Sequence, residues 1–86
     1  MRTLYVTYTD HAYQRARQYG ISDEDLVLAI SEPDCKWHDL EGRTVVRTRV
    51  RGRQLCVVYE LERAEGRLIV VTAYPIEEAE HESRVG

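Results

Sequence analysis

At 86 residues, with 43% hydrophobic and 31% charged side chains, the chain has room for one globular domain and a modest core, which excludes a multidomain or disordered protein. The formal net charge of -3 excludes a uniformly basic protein, and two cysteines are too few for a disulfide framework. No apolar run approaches the roughly 20 residues of a membrane helix and no signal-peptide pattern opens the chain, so no membrane association is expected and the cytoplasm is the expected location.

Residues 4–8 alternate Leu, Val and two Tyr with short side chains and predict a strand. Thr9 or Asp10 then offers a helix N-cap, and Ala12, Ala16 and Tyr19 at i, i+4 and i+7 predict a helix that Gly20 closes. Ser22-Asp23-Glu24-Asp25 spells a capping box for a second helix, with Leu26, Val27 and Ile30 as its expected buried stripe. Pro33 stops it, because the residue before a proline disfavours the helical region.

Beyond Pro33 the period becomes 2. Residues 36–40 predict a weak strand, and Glu41-Gly42 a turn into a strand over 43–51. Gly52 supports a tight turn into 54–62, where Leu55, Val57, Tyr59 and Leu61 share a face. Ala64-Glu65-Gly66 turns into 67–74, and Pro75 is expected to end that run. Thr72 and Tyr74 would share a face there with Leu68 and Val70. The resulting order, β-α-α-β-β-β-β, predicts an α+β fold with two N-terminal helices packed on one face of a twisted antiparallel sheet. Residues 1–75 are expected to form the single domain, and 76–86 an acidic tail that is loose or stabilised by a partner.

Three features carry chemistry. His11 and Arg15, four apart, lie on one helical face in the first turns, where the positive helix end and Arg15 favour a neutral imidazole and Asp10 opposes them. Thr72 and Tyr74 put two hydroxyls on one strand face. Arg43, Arg47, Arg49, Arg51 and Arg53 concentrate positive charge in a stretch, 43–59, that no acid interrupts. Such a face is either solvated or bound to an anion, and nucleic acid is the expected partner. The structural alternatives are a surface histidine, a core-edge tyrosine and an edge strand protected by charge. Cys56 reads as a small buried hydrophobe. Cys35 and His38 make only half of a metal site, so no metal and no cofactor is expected.

His11-Ala12-x-x-Arg15, Tyr19-Gly20-Ile21-Ser22 and the acidic helix into Glu32-Pro33 resemble the small bacterial family called domain of unknown function 4258. Arg53-Gln54-Leu55-x-Val57-Val58-Tyr59-Glu60 and Val71-Thr72-Ala73-Tyr74-Pro75 extend the resemblance over most of 9–75. That family is similar to the RelE-like ribonuclease toxins and to the wider group uniting barnase, EndoU, colicin and RelE domains. The resemblance implies a RelE-like fold that binds RNA on its sheet, a toxin-type endoribonuclease activity and an antitoxin protein as partner. It also implies His11, Arg15, Thr72 and Tyr74 as catalytic positions. Cleavage would proceed by metal-independent transesterification through the ribose 2′-OH, with His11 as base, Tyr74 as acid and the arginines stabilising the phosphorane. The alternative is a non-catalytic RNA- or protein-binding module on the same fold. A helix-turn-helix DNA reader is disfavoured, because Asp23, Glu24, Asp25 and Glu32 make the second helix acidic.

Overall fold

A computed structural model of the chain describes residues 5–76. Its elements follow the expected order: β1 (Tyr5–Tyr8), α1 (Asp10–Tyr19), α2 (Asp23–Ser31), β2 (Cys35–His38), β3 (Thr44–Val50), β4 (Arg53–Glu62) and β5 (Arg67–Pro75). Apart from Ile76, the expected acidic tail lies outside the described residues, as does Leu4 at the head of the first expected strand.

Both helix starts form as their side chains dictate. Thr9, not Asp10, is the N-cap of α1, and its Oγ1 accepts the Ala12 N–H at 3.0 Å. Gly20 ends α1 in the left-handed region at φ 65°, which glycine adopts without steric cost. In the capping box of α2, Ser22 Oγ accepts the Asp25 N–H and an Asp25 carboxylate oxygen accepts the Ser22 N–H. The buried stripe differs from expectation: Leu26 and Ala29 are buried, Ile30 is half-buried, and Val27 is exposed. Positions 26, 29 and 30 follow the 3.6-residue period, whereas Val27 lies about 100° round from Leu26.

The four later strands form a meander, with the sheet order β1-β5-β4-β3-β2. The sheet is mixed rather than purely antiparallel, because β1 pairs with β5 in parallel. The helices carry the chain from β1 to the far edge, where β2 runs opposite to it, and three hairpin reversals then leave β5 parallel to β1. Between β2 and β3 the turn starts at Asp39, whose Oδ1 accepts the N–H groups of Glu41 and Arg43, both at 2.9 Å. Leu40, expected in the strand, stands fully exposed in this turn. Between β3 and β4 the turn is the two-residue type I′ form, with Arg51 at φ 53° and Gly52 at φ 81°. A left-handed arginine costs roughly 1–2 kcal/mol. Its position lets Arg51 Nε come within 2.9 Å of Asp25 and its Nη2 within 3.4 Å of Glu24.

Ala12, Ala16, Leu26 and Ala29 pack from the helices onto Val46, Leu55, Val57, Val70 and Ala73 of the sheet, all buried. The small residues of α1 let its backbone approach β5 closely. Thr44 and Thr48 are the polar members of the buried face of β3, and the Thr48 hydroxyl donates to the Glu32 carbonyl at 3.3 Å, which satisfies both groups.

The register of β5 holds one irregularity. Val58 pairs with Thr72, yet its neighbour Tyr59 pairs with Val70, so Val71 is an extra residue. This bulge reverses the alternation. Leu68 and Val70 therefore face the helices, while Thr72 and Tyr74 face the opposite side, contrary to the shared face that plain alternation predicts. Thr9 anchors the bulge: its N–H donates to the Val70 carbonyl and its Oγ1 to the Val71 carbonyl, each at 3.0 Å.

Thr9→Ala removes the N-cap and the tie to Val71 together. It should destabilise the protein by about 1–2 kcal/mol in urea unfolding, and Thr9→Ser should recover most of the loss.

Candidate functional site

Both helices cover one face of the sheet, and the other presents a row of directly opposed residues, Cys35, Arg47, Cys56 and Tyr74, across β2, β3, β4 and β5. The adjacent row is Trp37, Val45, Val58 and Thr72. A cavity of about 260 Å³ opens on this face, lined by Trp37, Arg47, Cys56, Tyr74 and Ile76. Beside it Val45, Cys56 and Ile76, with Val58 against them, form a small apolar cluster separate from the main core. Ile76, the first residue of the expected tail, is buried on this face. Cys56 is buried as expected, although in this second cluster rather than under the helices.

The five arginines do not form one stripe. Arg47 lines the cavity, and Arg49 lies exposed on the same face of β3, with its N–H held by the Asp34 carboxylate at 3.2 Å. Arg43 precedes β3 and pairs with Glu60 at 2.8 Å and Glu41 at 3.1 Å. Arg51 sits in the turn and pairs with the acids that open α2. Arg53 begins β4 in register with buried Val50, and its Nη2 is buried without a hydrogen-bond partner among the described residues. Among the described residues, acids on other elements thus pair with Arg43 and with Arg51.

The structure brings Thr72 and Tyr74 to the arginine face and leaves His11 and Arg15 on α1, the helix that covers the other face. His11 is exposed in the first turn, and Arg15 donates to the Tyr19 hydroxyl at 3.4 Å. The link between the two groups is the edge of β5. Beyond Val70, β1 no longer flanks that strand, and Thr9 holds the first turn of α1 against Val70 and Val71, next to Thr72. The sequence reading passed over Trp37 and Cys56 as site residues. Their signal was the alternation of β2 and β4, which places both on the arginine face once the pairing is known.

Tyr74 is 38% exposed, and its hydroxyl pKa is pushed up to about 12, first by hydrogen bonding to Cys56, then by burial, while Arg47 opposes the rise. The phenol therefore stays protonated through neutral pH, able to donate a hydrogen bond to an anion beside Arg47. Among the described residues no group of three or more His, Cys, Asp or Glu side chains is placed to hold a metal ion. No helix among them is long and apolar enough to cross a membrane.

These features define a small α+β protein with two helices on one face of a five-stranded mixed sheet and an arginine- and aromatic-lined cavity on the other. The chain belongs to the family described as domain of unknown function DUF4258, whose model matches residues 8–75. That span takes in both helices, the whole meander and every residue singled out above except Ile76. Comparison with curated proteins and with solved structures gave no match.

Tyr8 is also pushed up to about 12, by burial and by its bond to Asp23 at 3.1 Å, so in an absorbance titration Tyr8 and Tyr74 should ionise near 12, and Tyr59, raised by burial, above the usual 10.0. Tyr74→Phe should remove one of them, and Cys56→Ala should move the same one down. Because the folded pKa lies above the unfolded value, the stabilisation the Tyr8 and Tyr74 hydroxyls provide is complete below pH 10 and is lost as pH rises through about 12.

Proposed function

We propose that the sheet face opposite α1 and α2 binds RNA and that the chain is a RelE-like, toxin-type endoribonuclease acting by metal-independent transesterification. The observation that supports this reading is the convergence of Arg47 and Tyr74 in one cavity, on the sheet face opposite α1 and α2. A guanidinium and a neutral phenol together suit a phosphodiester: the first offsets its charge, and the second donates to a bridging or non-bridging oxygen.

In this reading a ribose 2′-OH attacks the adjacent phosphorus, the bond to the 5′-oxygen breaks, and a 2′,3′-cyclic phosphate and a 5′-hydroxyl result. Tyr74 gives its proton to the leaving oxygen, Arg47 stabilises the phosphorane, and Thr72 bonds a phosphate oxygen. His11 takes the 2′-OH proton from the first turn of α1, and Arg15 adds positive charge beside it. The edge of β5, where Thr9 ties that turn down next to Thr72, is the route by which the two groups meet one substrate. Arg49 extends the phosphate contact along β3, and Arg43, Arg51 and Arg53 lie further out. An antitoxin protein and a cytoplasmic setting complete the proposal. The second reading, a non-catalytic RNA- or protein-binding module, is favoured by one observation: His11 lies on α1, which packs on one face of the sheet, and the Tyr74 side chain emerges from β5 on the other.

Incubation of purified protein with RNA separates the two. Cleavage should persist in EDTA, leave 2′,3′-cyclic phosphate ends and spare DNA. His11→Ala and Tyr74→Phe should each slow it about 10²–10⁴-fold while binding persists. Arg47→Ala with Arg49→Ala should weaken binding and reduce its salt slope by roughly one unit per lost phosphate contact. RNA that is bound and left intact at every pH and metal condition would support the module instead.

A further inference from the structure

Trp37 occupies a place that folding does not explain. It lies on β2, the outermost strand, where every side chain is exposed, and it is itself 45% exposed. Among the described residues it belongs to neither apolar cluster. What it does line is the cavity, together with Arg47 and Tyr74.

We infer that Trp37 is the platform on which one unpaired RNA base stacks, with the neighbouring phosphate on Arg47, so that the site takes single-stranded RNA and rejects the duplex. The inference rests on the RNA reading above and specifies its substrate. Trp37 is directly opposite Val45, so Arg47, two residues on, is its diagonal neighbour on the same face. Diagonal positions lie roughly 7–8 Å apart, a span that a nucleotide bridges between base and phosphate. The cavity, about 260 Å³, falls below the roughly 300–1,000 Å³ of pockets for drug-sized ligands, which fits a single base better than a larger group. An indole offers a flat π surface that any base can cover, whereas bases within a helix already cover each other's faces. The adjacent cations Arg47 and Arg49 match the phosphates on either side of such a base.

The chain's single tryptophan makes the test direct, because intrinsic fluorescence reports on this position alone. A short labelled RNA carrying 2′-O-methyl groups, which cannot be cleaved through the 2′-oxygen, is titrated into the full chain. Label anisotropy measures binding and tryptophan emission measures stacking, with the same sequence annealed to its complement as the duplex probe. Single-stranded RNA should quench the emission saturably, at the concentration where anisotropy rises, and the duplex should bind more weakly without quenching. Trp37→Ala, checked by circular dichroism for an intact fold, should weaken single-strand binding about 5- to 100-fold, and Trp37→Tyr should restore most of it. Binding without quenching, equal affinity for the duplex, or Trp37→Ala binding as tightly as the parent chain would overturn the stacking role and leave the RNA reading in place. Failure of the anisotropy to rise with either probe would overturn both.

Discussion

The extra residue at Val71 is the constraint on which the two faces of this protein depend. A strand without it would carry Leu68, Val70, Thr72 and Tyr74 on one side. Directed at the helices, that side would bury two hydroxyls where apolar side chains pack, at a cost of order 1–3 kcal/mol for each left unbonded. The bulge resolves the conflict within one strand: Leu68, Val70 and Ala73 complete the core, and Thr72 and Tyr74 join Arg47 on the far side. Thr9 stabilises this arrangement and also caps α1, so one side chain couples the bulge, the start of the helix and the end of β1. The core, the open face and the placement of His11 share that anchor.

Charge is distributed by the same tertiary logic. The chain is acidic overall, yet its acids are directed to particular arginines. Glu60 and Glu41 meet Arg43 at one end of β3, and Asp25 and Glu24 meet Arg51 at the other. Exposed pairs of this kind contribute about 0–1 kcal/mol each, so their main consequence is to shape the surface potential rather than to hold the fold. On the middle of β3, Arg47 lines the cavity and Arg49 lies exposed on the same face.

Trp37 and Ile76 extend the cavity lining beyond the arginines. Ile76 closes a small apolar cluster with Val45 and Cys56, which gives the cavity an ordered floor and wall. The edge position of β2, exposed at all four residues, would ordinarily invite pairing with another chain. Its brevity and the charged Lys36 oppose that, so the exposed indole faces the cavity on a strand poorly suited to extending the sheet.

Much of the fold was legible in the chain because local rules decided it. The capping box at Ser22, the left-handed Gly20, the stop at Pro33 and the glycine turns set two helices and four strands in the right order, and the period-2 run of Leu55, Val57 and Tyr59 named a core face. Family membership was likewise carried by short motifs spread along 9–75. Local pattern failed wherever a contact distant in sequence prevailed. The parallel pairing of β1 depends on a path across the whole sheet, and the bulge at Val71 on Thr9, sixty-two residues away. Arg51 left its strand for a turn facing the acids of α2. The sequence by itself determined the elements, their order and the residue types able to handle a phosphodiester. Only the tertiary structure decided which of those residues share a cavity, because hydrogen-bond register across strands, and not spacing along the chain, sets the face on which a side chain emerges.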